Sequence, residues 1–312
     1  MTTEPTALVA IDWGSSALRG ARLGARGTVL EQRSFARGVL TVAAGEFPAV
    51  FDACFGDWTG AGAASCLISG MAGSKQGWRE APYCPCPAGF GDLAAQLMWL
   101  ELGAGRTAVA IVPGLSCEHP CGLPTLPSIP DVMRGEEVQI FGAMQLTGLR
   151  NGIFVLPGTH SKWAQVSGGQ VTGFQTYMSG EFFALLSQQS ILSRTLDQDA
   201  PPDDDAFALG VQRAAQAGGL LHHAFGARTL ALFARMGAAS LTSYLSGLVI
   251  GAELAAQTFA ADTEVVLIGA PALTGRYAQA LALHGVHARM LDAQATWAGL
   301  LALSNVLSKG PR

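Results

Sequence analysis

The sequence predicts an α/β protein of two lobes, each built on the same βββα unit, with a cleft between them. Three observations carry this. A chain of 312 residues is longer than one core comfortably serves, because single cores stop growing near ~250 to 300 residues. Hydrophobic residues make up 49% of it and recur in every segment, so it can bury a core and does not read as a disordered chain. A pattern of three strands and two turns also occurs twice at a constant offset of 144 residues, with Gly14 on Gly158, Ser15 on Thr159, Gly24 on Gly168 and Thr28 on Thr172 and no gap.

Taken in order, Ala7 to Asp12 is a continuous apolar run that leaves its sheet at the turn Gly14-Ser15-Ser16, followed by strands at Ala17 to Leu23 and Thr28 to Ser34. Gly38 to Trp58 reads as helical. Ala64 to Ile68 and Ala108 to Val112 are apolar strands, with a helical pattern between them at Leu93 to Leu102. The second meander has strands at Ile153 to Leu156, Lys162 to Val166 and Val171 to Tyr177, joined by turns at Pro157 to Ser161 and Ser167 to Gln170. Helices are expected at Phe182 to Thr195, Ala206 to Leu221, Thr229 to Ala238 and Leu241 to Ala256, with the acidic Asp197 to Asp205 as an exposed loop. Glu264 to Gly269 is a buried strand, Tyr277 to His284 a helix and Ala293 to Leu307 the closing helix. Gly247 and Gly251 give Leu241 to Ala256 a smooth face suited to close packing between the lobes. The expected lobes are 1–135, completed by 293–312, and 136–292.

Composition excludes several classes. With 19 basic and 23 acidic residues and no basic run, there is no footprint for nucleic acid. Leu241 to Ala256 is interrupted by Thr242, Ser243, Ser246 and Glu253, which argues against a membrane span, and Met1 to Thr6 does not resemble a signal peptide. A cytoplasmic protein is expected, and the sequence is compatible with a homodimer. Cys84, Cys86, Cys117, His119 and Cys121 offer zinc-binding atoms, but their spacing fits no zinc template, so thiols and no tightly bound zinc are expected.

The two Gly/Ser/Thr turns carry the chemistry. Backbone N–H groups at Gly14, Ser15 and Ser16, and at Gly158, Thr159, His160 and Ser161, would cradle phosphate oxygens from the two sides of the cleft, glycine allowing close approach. Asp12, at a strand end, is placed to hold Mg2+, directly or through water, or else merely caps the turn.

Asp12 to Ser16 and Leu156 to Trp163 resemble the two phosphate motifs of the superfamily that joins sugar kinases, hexokinase and actin, whose lobes are ribonuclease-H-like. Within it the chain is similar to the 2-dehydro-3-deoxygalactonokinases, through Ser69 to Ser74, Gln76 to Tyr83, Met133 to Glu137 and Thr176 to Glu181. The resemblance covers essentially the whole chain. It implies transfer of the ATP γ-phosphate to the terminal hydroxyl of 2-dehydro-3-deoxygalactonate, with Mg2+.

Hexokinase-like members place a catalytic Asp at the start of the helix before the second phosphate strand; here that position holds Glu, similar to the exopolyphosphatase branch. Glu136 is the expected base and Glu137 the alternative, although the helix dipole alone also favours acids there. The substrate carboxylate calls for a cation, from Arg134 or Lys162 with Arg79 behind them, in a pocket dressed by Ser74, Gln76, Trp78 and Tyr83, although Trp78 equally suits an anchor on the domain surface. Adenosine is expected near Gly269, Ala270 and Leu273, close to Tyr277. A non-catalytic sugar sensor on the same fold would normally need a DNA-reading module, for which six residues before the first strand are too few. A phosphoanhydride hydrolase acting on a long polyanion is the third reading, opposed by the missing basic groove.

Overall fold

The computed structural model describes residues 4–59, 65–103, 107–119, 127–260 and 263–308. The chain forms two compact units: Met1–Gly152 with Ala164–Phe174 and Leu291–Arg312, and Ile153–Trp163 with Gln175–Met290.

The first unit begins with β1 (Leu8–Trp13), every residue of which is buried, and continues through β2 (Leu18–Leu23) and β3 (Val29–Phe35) as an antiparallel meander. In α1 (Phe47–Thr59), Phe47, Phe51, Phe55 and Trp58 fall on one helical face and enter the core beside Trp13. β4 (Cys66–Gly70) then pairs parallel with β1, which sets Asp12 opposite Ser69 and Trp13 opposite Gly70.

Next come β5 (Tyr83–Pro85), α2 (Phe90–Ala95), β6 (Met98–Leu100), β7 (Val109–Ile111), β8 (Gly114–His119) and β9 (Ile129–Met133). The main sheet has the order β3-β2-β1-β4-β7-β6, and β5-β8-β9 form a small second sheet. The helix expected over Leu93 to Leu102 is corrected here: α2 ends as Gln96 N–H bonds back to Leu93 O (3.1 Å), and Met98 to Leu100 pairs antiparallel with β7. A short apolar run has no period long enough to separate the two states. The small sheet was illegible for a related reason, since Ile129-Pro130-Asp131 alternates nothing and lies largely exposed.

Helix α3 (Glu136–Thr147) follows β9 and ends at Gly148 in the left-handed conformation. It belongs to the first unit.

A further five-stranded sheet repeats the strand pattern of the main sheet. β10 (Gly152–Leu156), β11 (Ser161–Ser167) and β12 (Gln170–Tyr177) form the meander, and the sheet order is β12-β11-β10-β13-β14, with β13 (Val265–Ile268) parallel to β10 and β14 (Ala288–Leu291) at the edge. Between β12 and β13 lie α4 (Ser179–Gln188), α5 (Asp204–Ala214), α6 (Gly219–Leu232) and α7 (Ala238–Ala255), and α8 (Pro271–Leu283) separates β13 from β14.

Asp203 caps α5 by accepting from Ala206 N–H at 3.0 Å. The helix expected to run to Leu221 instead ends at Ala214, and α6 starts after Gly218 (φ 125°) and ends at Leu232, ahead of Ala234 (φ 50°), in place of the helix expected over Thr229 to Ala238. Gly247 and Gly251 do mediate close helix packing, but against α5 inside the second unit and not between lobes. A Cβ on Gly247 would lie 2.1 Å from Phe207 O, and one on Gly210 of α5 would lie 2.2 Å from Tyr244 O. By length and composition α7 alone among the described residues could cross a membrane, yet Leu241, Leu245 and Leu248 are wholly buried in the second unit's core.

The chain closes with α9 (Gln294–Ser308), packed on α3 in the first unit so tightly that a Cβ on Gly299 would meet Val138 O at 2.0 Å.

Candidate functional site

In the first unit, the ends of β1 and β4 and the start of α3 bring together most of the residues singled out in that half. Asp12 is nearly buried and its carboxylate is bonded to Arg19, the residue opposite it on β2. Burial raises its pKa, and Arg19 opposes that rise. The turn that follows is held by Gly14 N–H to Ala17 O (2.9 Å) and by Val39 N–H to Gly14 O (3.0 Å), which leaves Ser15 and Ser16 exposed.

Gly135 adopts φ 105°, a value that suits glycine, and its Cα side faces Gly70: an added Cβ would lie 3.2 Å from Gly70 Cα. This contact places the start of α3 on the ends of β1 and β4. The two acids differ there. Glu136 is half-buried and accepts from Arg134 N–H at 3.0 Å. Glu137 is fully buried, its Oε2 accepts from Gly135 N–H at 2.6 Å, and its Oε1 has no hydrogen-bond partner. Burial, and then the neighbouring Glu136, push its pKa up to about 8.

Arg134 is 9% exposed, stacks on the ring of Tyr83 at 4.3 Å and donates from Nη2 to Ala81 O at 2.8 Å. Its Nε and Nη1 have no partner, nor do the buried hydroxyls of Ser69 and Ser74. A Cβ on Gly73 would lie 2.7 Å from Arg134 Nη1, so the Ser74 loop runs against the guanidinium. Unpartnered buried polar atoms are costly and uncommon, and several lie on these few segments. Gln76 and Arg79 are exposed on the same loop, whereas Trp78 packs into the core against Phe51 (5.3 Å) and Trp13 (6.1 Å).

In the second unit the turn Pro157 to Ser161 lies against the start of α4. Glu181 N–H donates to Thr159 O (3.0 Å), and a Cβ on Gly180 would be 2.4 Å from Gly158 O. His160 pairs with Glu181 at 2.7 Å. Gly158 and Thr159 border a cavity of about 440 Å³ whose walls include Ser179, Gly180, Phe183, Leu273 and Tyr277. Gly269 and Ala270 connect β13 to α8 beside it, and Pro157 O lies 3.7 Å from where a Cβ on Gly269 would be. The side chain of Ser161 turns away from the cavity into the core, and Lys162 is buried in β11, where Nζ donates to Thr176 Oγ1 at 2.8 Å.

Two residues were missed by the sequence reading. Ser69, next to last in an apolar strand, stood in a segment that carried the resemblance but was given no role in the site. Glu253, the one acid in apolar α7, carried a usable signal, since an isolated carboxylate on a buried helix must find partners. Among the described residues no three His, Cys, Asp or Glu are grouped to hold a metal, and Cys121 lies outside the described residues.

Comparison with known proteins follows the geometry. The model of the 2-keto-3-deoxy-galactonokinase family matches residues 12–303. A protein of Escherichia coli (strain K12) named 2-dehydro-3-deoxygalactonokinase is 34% identical over 89% of this chain and 90% of its own. The crystal structure of a Sinorhizobium meliloti 2-dehydro-3-deoxygalactonokinase protein superposes with a TM-score of 0.85 at 33% identity, covering 98% of this chain and 100% of that one. An N-acetylglucosamine kinase from Porphyromonas gingivalis reaches a TM-score of 0.50 at 13% identity over 96% of this chain and 99% of its own, a likeness of fold alone. The duplicated, actin-like α/β fold read from the sequence is the observed one.

Proposed function

From the premise that this chain belongs to the 2-keto-3-deoxy-galactonokinase family, we propose that it is an ATP-dependent kinase that phosphorylates the 6-hydroxyl of 2-dehydro-3-deoxy-D-galactonate. The observation that carries the reading for this chain's own residues is Arg134. A buried guanidinium stacked on Tyr83, with Nε and Nη1 unpartnered, keeps charged donors open for a carboxylate. A sugar acid brings that carboxylate, and the hydroxyl of Ser74 stands ready for one of its polar groups.

Of the two acids at the start of α3, the geometry favours Glu137 as the proton acceptor. Its Oε1 is the uncommitted atom, and a pKa near 8 suits a base that must take a proton from a hydroxyl near neutral pH. Glu136 keeps that pKa high by its charge and braces the backbone at Arg134. Phosphates would rest on backbone N–H groups of Gly14 to Ser16 and Gly158 to Thr159, and the adenosine against Leu273, Gly269 and Ala270 in the 440 Å³ cavity.

A single buried strand-end carboxylate already shared with Arg19 fits Mg2+ held through water, so Asp12 is the residue that would hold it. The ion supplies charge neutralisation on the phosphate oxygens. Lys162, committed to Thr176, is the weaker candidate for the substrate carboxylate.

The test is a coupled ADP assay across keto-deoxy sugar acids. The expected result is the highest kcat/KM for 2-dehydro-3-deoxygalactonate and ATP hydrolysis at most ~1% of the kinase rate without a sugar acid. Brisk ATP hydrolysis with no acceptor, or equal rates on sugars that lack a carboxylate, would overturn it.

A further inference from the structure

Glu253 is absent from the wall of the 440 Å³ cavity, yet it ties the strand that leaves the second glycine turn to Tyr277 in that wall. The carboxylate is 1% exposed at the end of α7. Its Oε2 accepts from Ser161 Oγ (3.0 Å) and Trp163 Nε1 (2.6 Å), both on β11 at the exit of the second glycine turn. Its Oε1 accepts from Tyr277 Oη at 2.7 Å, and Tyr277 is a wall of the 440 Å³ cavity.

A buried charge is retained at a cost unless donors compensate it, and here the compensation comes from Tyr277 in the cavity wall and from Ser161 and Trp163 on the strand that leaves the second glycine turn. A carboxylate serving only as core filler would be replaceable by an apolar residue of similar size. This one cannot be replaced without leaving the Trp163 and Tyr277 donors buried and unpaired.

The geometry points to Glu253 as the positioning residue of the nucleotide half: it fixes the exit of the second glycine turn through Ser161 and the cavity wall through Tyr277, and so sets nucleotide affinity without contacting the nucleotide. This rests on the reading that the cavity takes the adenosine part of ATP. The network also explains why Ser161, though part of the phosphate motif, spends its hydroxyl on the interior.

The consequence is a split between the two substrates. Glu253→Gln keeps one oxygen for Ser161 and Trp163 but presents an amide to Tyr277. Tyr277→Phe and Ser161→Ala each remove one donor and leave the carboxylate its others. Leu254→Ala, next to it on α7 and 2% exposed in the core, serves as the control for a purely structural loss.

The experiment measures ADP binding by calorimetry, the KM for ATP and for the sugar acid, and thermal stability for all four variants. Tyr277→Phe and Ser161→Ala are expected to raise the KM for ATP and the Kd for ADP by ~5-fold to 20-fold while the sugar-acid KM stays within ~2-fold, Glu253→Gln to fall between them and the wild type, and Leu254→Ala to lower Tm with both KM values unchanged. Normal nucleotide affinity in folded Tyr277→Phe and Ser161→Ala proteins with lowered Tm would reduce Glu253 to a structural group and overturn the inference. Wild-type protein that binds no ADP would instead sink the nucleotide reading beneath it. Should Glu253→Gln fail to fold, the two donor variants decide.

Discussion

The two glycine turns occupy equivalent places in duplicated sheets, and their surroundings have diverged. Around the first turn, polar groups are buried without partners: Ser69 Oγ, Ser74 Oγ, Glu137 Oε1 and two nitrogens of Arg134. Around the second, the buried polar groups satisfy one another, with Glu253 collecting Ser161, Trp163 and Tyr277. One backbone device thus serves two purposes. Under the proposed function, the first half would leave its donors and acceptors open for a ligand, whereas the second spends them on one another beside its cavity.

If that contrast is real, the largest effects belong to the first half. Glu137→Gln is expected to lower kcat at least ~100-fold with little change in nucleotide affinity, and Glu136→Gln to have the smaller effect. The reverse order in a steady-state assay would transfer the base to Glu136.

The same variant reports on stability. Burial pushes the pKa of folded Glu137 up to about 8 from the usual 4.5, so between those values the folded state holds a proton that the unfolded chain has released. Stability from this group is therefore intact below pH ~4.5 and declines as pH rises toward 8, by up to a few kcal/mol. Urea titrations should show that decline in the wild type and a flatter profile in Glu137→Gln. Parallel profiles would mean that Glu137 titrates normally.

Next in size is Arg134→Lys. An ammonium keeps the charge but loses the planar fork and the stacking on Tyr83, so the KM for the sugar acid should rise ~10-fold to 100-fold with the KM for ATP nearly unchanged. Equal effects on both substrates would remove the distinction between the two halves.

How much of this was legible follows the same division. The duplication could be read because turn glycines and buried strands repeat with a fixed offset, and β1 and β10 do begin 144 residues apart, at Leu8 and Gly152. The assembly at the start of α3 was legible in part: Arg134, Glu136 and Glu137 stand in one run, but the neighbouring Ser69 arrives only through parallel pairing of β1 with β4, a contact no local pattern encodes. Trp78 looked like a pocket residue because aromatic and amide groups surround it in sequence, yet it completes an aromatic core with Trp13 and Phe51. Glu253 is separated by about 90 residues from Ser161, and only the folded sheet brings them into contact.

The smallest effects should be those of the turn hydroxyls themselves, and they test whether the two turns still share anything. Ser15 and Thr159 are equivalent in the duplication, both are exposed, and neither side chain is held by the surrounding structure in the way Ser161 is. If phosphate is gripped by backbone N–H groups, which every residue supplies, removing either hydroxyl costs one hydrogen bond at most and leaves the cradle intact. Ser15→Ala and Thr159→Ala should then each change the KM for ATP by no more than ~3-fold to 5-fold, with similar values for the two. A loss of ~100-fold at one position and none at the other would show that the turns have diverged in their own chemistry and not only in what surrounds them.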